Sequence, residues 1–226
     1  MLKKILRKLH IIHNIYIKHK FLIKKKSYAM DNEDIIVLDY FKNKKNGFYV
    51  DVGSYHPIHR NNTYLLHKQN WSGINIDISQ FSTDLFDFMR PQDLNYNCAI
   101  SNKNEKIKFF YQKELSQLST IEVDQAETVF QGNIKEKEIH AFTLDEILNR
   151  DRYKNSKIDF LDIDVEGADL KVLEGLSFDK FKPELVCVEI HEKKIKKSDI
   201  YNFLIKKNYE LLWSGAFSHI FKRLQN

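Results

Sequence analysis

Glycine and proline are scarce in this 226-residue chain, at seven and three residues, and cysteine occurs only twice. With 42% hydrophobic residues, that scarcity excludes collagen-like and disordered classes and leaves one globular domain with a full core. Cys98 and Cys187 lie far apart in apolar, strand-like runs. That excludes a disulfide framework and a zinc-ligand spacing, and both read as small buried residues in a reducing, cytoplasmic compartment. Long apolar runs are missing as well. The longest uncharged run near the start, Leu9 to Ile17, is nine residues and includes His10, His13 and Asn14, too short to cross a bilayer. No small-residue cleavage site follows it, so a signal peptide fits poorly, and the sequons at Asn61 and Asn70 read as chance.

Acid is absent from residues 1–30, which hold nine Lys/Arg, so the rest of the chain carries 27 basic against 31 acidic residues, a net of −4 within an overall +5. The basic character belongs to this segment and not to the domain expected over residues 31–226. Leu2, Ile5, Leu6, Leu9, Ile12 and Tyr16 recur at helical spacing among the lysines. Such a basic amphipathic helix either lies on an anionic membrane surface or binds a partner, making the protein peripheral at the inner membrane, or it simply covers part of the domain.

Also missing is Gly-x-Gly-x-x-Gly, the loop that seats a dinucleotide pyrophosphate on a helix N-terminus. Instead Phe48-Tyr49-Val50-Asp51-Val52-Gly53 is followed by Ser54, Tyr55, His56 and Pro57, which crowd that space. From Gly47 to Asp77 the chain reads as a β-loop-α-β unit, half of a nucleotide-binding fold. Gly53 would let a ligand approach the backbone closely. Asp77, 24 residues beyond Gly53, stands where an acid accepts ribose hydroxyls. An adenosine cofactor without a pyrophosphate, S-adenosylmethionine, follows.

Downstream, helices are expected over Asp31 to Lys45, around Tyr64 to Leu66, and over Phe81 to Met89. Tyr96 to Ile100 reads as the third strand and Lys106 to Tyr111 as a further one. Residues 112–140, including Ser116 to Thr120, read as a polar loop that either covers the cofactor or stays on the surface. Thr143 and Glu146 form a capping-box pattern. Ile158 to Asp164 is the fourth strand, Glu184 to His191 the fifth, and Tyr209 to Ser214 with Phe217 to Lys222 a closing antiparallel pair. The alternation predicts a mostly parallel seven-stranded sheet with helices on both faces and a C-terminal hairpin. Asp162, Asp164 and Glu166 alternate along an extended stretch and so point to one side. Three like charges there call for a cation, a ligand hydroxyl or a helix N-terminus.

Taken together, Phe48 to Gly53, Asn62-Thr63-Tyr64, Gly73-Ile74-Asn75-Ile76-Asp77 and Ile163-Asp164-Val165-Glu166-Gly167-Ala168 resemble the FkbM-type S-adenosylmethionine-dependent methyltransferases over about residues 46 to 222. The resemblance implies a Rossmann-like class I fold and methylation of a hydroxyl on a sugar or other polar small molecule, with a surface-polysaccharide sugar as one acceptor. It places Asp51 and Gly53 by the methionine half of the cofactor, Asp77 on the ribose, and Asp164 and Glu166 beside the transferred methyl. Candidate cofactor contacts are then Asp51, Gly53, Ser54, Asn62, Thr63, Asp77, Ile78, Cys98, Ala99 and Asp162. Two departures stand out: Ser54-Tyr55 where many members have Ala-Asn, and an acid at Asp162.

A hydroxyl acceptor must lose its proton, and His191, Asp164 and Glu166 are the candidate bases, with histidine favoured because it titrates near neutrality. His56 is a further candidate. A variant has Asp164, Glu166, Glu189 and His191 holding Mg²⁺ or Mn²⁺. Two rivals remain: a nucleic-acid methyltransferase using the basic segment, disfavoured by the acidic domain and the lack of Asn/Asp-Pro-Pro-Tyr or paired catalytic cysteines, and a non-enzymatic membrane-surface scaffold.

Overall fold

The computed structural model describes residues 2–114, 132–150 and 153–224. The chain begins with α1 (Leu2–Ile12) and a π-helical turn (His13–Lys18), followed by α2 (Glu33–Tyr40), β1 (Phe48–Val52), α3 (Tyr64–Lys68), β2 (Ser72–Asp77) and α4 (Gln80–Met89). Next come β3 (Leu94–Asn97), β4 (Ala99–Ile100), β5 (Glu105–Tyr111), β6 (Lys135–Phe142), α5 (Leu144–Arg150) and β7 (Phe160–Ile163). The chain continues with α6 (Asp169–Glu174), α7 (Phe178–Phe181), β8 (Leu185–Glu189), a 3-10 turn (Ile195–Lys197), α8 (Asp199–Lys206), β9 (Tyr209–Ser214) and β10 (Ser218–Arg223).

The main sheet has seven strands in the order β3-β2-β1-β7-β8-β10-β9. Neighbours from β3 to β8 run parallel, and β10 pairs antiparallel with both β8 and β9. This is the expected α/β fold with its closing hairpin. Strand alternation sends side chains to opposite faces. Val50 and Val52 join one core cluster with Leu161, Ile163, Leu144 and Val172. Tyr49 joins another with Phe160, Cys187, Val37 and Leu66. Helices therefore cover both faces, and the carboxyl ends of the parallel strands share one edge.

The expected third strand is two strands. Leu94–Asn97 extends the main sheet, whereas Ala99–Ile100 leaves it at buried Cys98 to pair with β6 in a second sheet of order β4-β6-β5. The loop expected up to residue 140 is also shorter, because Lys135–Phe142 forms an antiparallel ladder with β5. Its alternating charges, Lys135-Glu136-Lys137-Glu138, concealed the strand. Cross-strand pairing rescues it, with Lys108 on Glu136 at 3.0 Å. Residues 115–131 of that expected loop, Ser116 to Thr120 included, lie outside the described residues. Helix α2 falls short of the expected Asp31 to Lys45, since Asn32 has φ +68° and Phe41 already leaves helical geometry. The capping box forms by half. Thr143 Oγ1 accepts the Glu146 N–H at 3.2 Å, but the Thr143 N–H donates to Asn104 Oδ1 at 2.8 Å. The Glu146 carboxylate turns to Asn104 and Arg150.

Fully buried Arg90 organises the side of the sheet beneath the Ser54–Thr63 loop. Its Nη1 donates to Tyr49 Oη (3.0 Å) and Thr63 Oγ1 (2.8 Å), and its Nη2 to the Pro57 carbonyl (2.6 Å) and Asn61 Oδ1 (2.8 Å). Thr63 Oγ1 in turn donates to Asp51 Oδ2 at 2.8 Å, and Tyr49 Oη to Asp93 Oδ2 at 2.5 Å. One guanidinium thus compensates two buried acids and ties the loop down. Replacing it, as in Arg90→Met, leaves those charges uncompensated, a loss of roughly 3–5 kcal/mol. A melting temperature lower by at least about 6 °C is expected, since about 1 kcal/mol shifts a chain of this size by about 2–4 °C. A change under about 2 °C in differential scanning calorimetry would contradict the network's role.

Candidate active site at the carboxyl edge of the sheet

Where β1 ends, Gly53 has φ +84°, and a Cβ there would stand 1.7 Å from the Asp164 carbonyl oxygen. The Asp164 N–H donates to the Val52 carbonyl at 2.9 Å, and the Gly53 and Ser54 N–H groups both donate to the Ile76 carbonyl. The expected reason for this glycine was room for a ligand. The structure gives another: the space belongs to the backbone after β7, so the glycine clamps the ends of β1 and β7 together.

Asp77 closes β2. Its Oδ2 accepts the Tyr55 N–H (2.8 Å) and its Oδ1 the Ser79 N–H (2.7 Å). Burial pushes its carboxyl up to about 6, against the pull of those two backbone donors. Tyr55 reaches it through a left-handed backbone, φ +52°, a conformation that strains a non-glycine residue. Each carboxylate oxygen keeps further acceptor capacity. Ile78 follows, and Asn97 Nδ2 donates to the Asp77 carbonyl at 3.0 Å, bringing the end of β3 alongside. Cys98 and Ala99 are buried there, and burial pushes the Cys98 thiol up to about 12. A cavity of about 120 Å³ opens beside Ile78 and Ser79, walled by Arg7, Phe109 and Tyr111. That is well under the roughly 300 Å³ of a ligand pocket.

Several expected cofactor contacts face inward. Asp51 is buried and accepts from Asn61 Nδ2 (3.1 Å) and Thr63 Oγ1 (2.8 Å), and Ser54 is buried too. Asp162 is the register partner of Asp51 across β1 and β7, and Asn62 Nδ2 donates to its Oδ1 at 3.0 Å. Burial raises both carboxyls. Arg90 pulls Asp51 back, whereas Asp51 pushes Asp162 further up. Thus Asp51, Asn61, Asn62, Thr63 and Asp162 make a polar layer under the loop. His56 is also buried and fully engaged. Its Nδ1 accepts from the Ile58 and His59 N–H groups, leaving Nε2–H for Asn14 Oδ1 at 3.0 Å, which removes it as a base.

The acids after β7 and β8 form the outer part of the edge. The expected extended alternation stops at Asp164, because Glu166 (φ +53°) and Gly167 (φ +98°) make a turn. Asp169 holds that turn by accepting the Val165 and Gly167 N–H groups at 3.4 and 3.2 Å, and burial lifts its carboxyl to about 6. Asp164 is open to solvent. The surrounding protein, then Glu189, Glu166, Asp169 and Asp162, raise its carboxyl. At the end of β8, Glu189 Oε2 lies 3.0 Å from Nε2 of His191, a close approach without an aligned hydrogen bond. Ligand atoms of Glu166, Glu189 and His191 all fall within 4.8 Å of one another, and Asp164 stands outside this group. The expected four-residue convergence is therefore narrower. Asn61, Arg90 and Asp169 were not foreseen. An acid two residues past Gly167 at a helix start is a legible turn-holding signal for Asp169. Nothing local marks Arg90.

Burial, then Glu166 and Asp169, push Glu189 from 4.5 up to about 8. A carboxyl raised on folding contributes stability fully present below its unfolded value, lost as pH rises through the folded one. In chelator-treated protein, Glu189→Gln is expected to match wild type at pH 5 and to melt a few degrees higher at pH 9, about the shift 1 kcal/mol produces. A difference independent of pH would contradict this.

The family model for the methyltransferase FkbM domain matches residues 51–211. No curated protein sequence matches the chain. Among solved structures, the methyltransferase FkbM from Methylobacillus flagellatus is similar at TM-score 0.49 and 11% identity, over 97% of this chain and 60% of that one. This chain thus spans less than two thirds of that protein's chain. A methyltransferase from Geobacter sulfurreducens is similar at TM-score 0.48 and 9% identity, over 97% of this chain and 88% of that one. A TehB-like SAM-dependent methyltransferase from Corynebacterium glutamicum is similar at 0.44 and 9%, over 96% and 100%. With the FkbM domain matched from the end of β1 to β9, the chain belongs to the FkbM methyltransferase family.

Proposed function

We propose that this chain is an S-adenosylmethionine-dependent O-methyltransferase acting on a hydroxyl of a sugar or another polar small molecule. The observation that carries the reading is the placing of His191, Glu189 and Asp164 at the ends of β8 and β7, next to the β1–β2 edge that holds Asp77. The donor set fits the cofactor. An acid at the end of β2 suits a ribose diol, and an acid-lined β7 edge suits a sulfonium cation.

Bound at this edge, S-adenosylmethionine supplies an electrophilic methyl group. Asp77, aimed by the Tyr55 and Ser79 N–H groups, accepts the ribose hydroxyls. His191, with 48% of its side chain exposed, meets the acceptor. Its Nδ1, turned from Glu189, takes the hydroxyl proton, and the imidazolium formed beside Glu189 favours that carboxyl's charged form. Such a base contributes about 10²- to 10⁴-fold, and holding the acceptor oxygen in line contributes more. With methyl-labelled S-adenosylmethionine and a panel of free and nucleotide-linked sugars, the label should enter a sugar methyl ether. His191→Ala should lower kcat by about 10²- to 10⁴-fold with cofactor affinity unchanged. Transfer to RNA instead, or undiminished turnover in the variant, would contradict the proposal.

A divalent cation is a second reading of the same edge, favoured by the 4.8 Å grouping of Glu166, Glu189 and His191. Two carboxylates and an imidazole suit Mn²⁺ or Mg²⁺. His191 would then be a ligand and not the base. Activity lost to chelator and restored by Mn²⁺ or Mg²⁺ is the expected result of this reading, and indifference to chelator removes it.

A further inference from the structure

Helix α1 is held to the domain by the wrong side for an ordinary surface helix. Arg7 Nε donates to Asp84 Oδ2 at 2.7 Å and its Nη1 to Glu114 Oε2 at 2.8 Å, with the guanidinium 4.5 Å over the Phe81 ring. His10 stacks on the same ring at 4.4 Å. Four residues beyond Arg7, Ile11 is buried, and four beyond that Ile15, both packed with Phe81, Leu85 and Ile58. At about 100° per residue, this Arg7–Ile11–Ile15 stripe lies opposite Leu2, Ile5, Leu6, Leu9 and Ile12. Those five aliphatic side chains are each at least 42% exposed. An amphipathic helix of a soluble domain normally buries its apolar stripe. This one turns the stripe to solvent and anchors itself through two ion pairs of Arg7 and one narrow seam. Past the π-helical turn, Leu22 and Ile23 are exposed as well, at 78% and 55%.

The charge around the stripe selects its occupant. Residues 1–30 hold nine Lys/Arg and no acid, and Lys3 and Lys8 fall at the borders of the apolar face. A second copy of the chain would bring like charges together along the seam, which disfavours pairing through it. An anionic lipid surface accepts both halves of the pattern. Aliphatic side chains enter the acyl boundary while flanking lysines extend their stems to the phosphates. We infer that α1, with the loop carrying Leu22 and Ile23, docks the protein in plane on an anionic bilayer surface. No described helix is long and apolar enough to cross a membrane, so the contact is interfacial. Arg7 also walls the cavity beside Ile78 and Ser79, so docking leaves that cavity behind α1, about one helix width of 10 Å from the lipid face.

The test uses the full chain in co-sedimentation with vesicles of phosphatidylcholine alone or mixed with phosphatidylglycerol. Wild type should sediment with the mixed vesicles, weakly with phosphatidylcholine, and less as salt rises. Leu6→Glu/Leu9→Glu, which changes only exposed side chains, should abolish sedimentation at an unchanged melting temperature. Lys3→Glu/Lys8→Glu should weaken it by at least about 25-fold, roughly five-fold for each lysine lost. Equal sedimentation with both vesicle types, or undiminished binding by either variant, overturns the inference. So does a self-associated species in sedimentation velocity that Leu6→Glu/Leu9→Glu dissolves in the absence of lipid binding, because the stripe would then be a protein interface.

Discussion

The approach of Gly53 to the Asp164 carbonyl is the constraint on which the rest of the edge depends. It places the loop after β1 and the loop after β7 in contact, with no side chain between them. One loop carries the Tyr55 N–H that aims Asp77, and the other leads into the Glu166–Gly167 turn. On the proposed function a methyl donor and its acceptor meet in line at this edge, so the setting of the two loops is part of that geometry. Any side chain at position 53 would push them apart and would also resist the positive φ.

The polar layer beneath follows from that closeness. Bringing β1 beside β7 puts Asp51 and Asp162 in register, two buried acids on adjacent strands. Arg90, Asn61, Asn62 and Thr63 compensate them and hold the Ser54–Thr63 loop over the sheet. The two carboxylates nearest the first motif are therefore tied into the layer that shapes the loop. Those farther out, Asp164, Glu166 and Glu189, stay near the opening, where the surrounding protein and mutual repulsion raise Asp164 and Glu189. A positively charged sulfur or cation at that opening would relieve the repulsion.

Much of the fold was legible because periodicity marks elements directly. Val50, Val52, Leu161, Ile163, Val186 and Val188 are apolar on parallel strands that are buried on both faces. What escaped was non-local. The break at Cys98 depends on where β6 happens to pair, and β6 itself, Lys135 to Phe142, has its local charge pattern overridden by its ladder with β5. The site divided in the same way. Asp77 and the Glu189–His191 pair sit at strand ends where the reading placed them. The inward turn of Asp51 needed knowledge of Arg90, which reaches it through Thr63 and Asn61 from the far end of α4, and that of Asp162 needed knowledge of Asn62. Strand alternation also failed at Glu166, because a positive φ is a property of the turn and not of the residue.

The central claim is that this edge binds S-adenosylmethionine through Asp77. Its most direct test is thermal unfolding of wild type and Asp77→Ala with S-adenosylmethionine, its demethylated product, or NAD. Ligand at 100 times its dissociation constant should stabilise wild type by about 2.7 kcal/mol, with a weaker shift in the variant and none from NAD. No shift with saturating S-adenosylmethionine, or an equal shift in Asp77→Ala, would contradict the account.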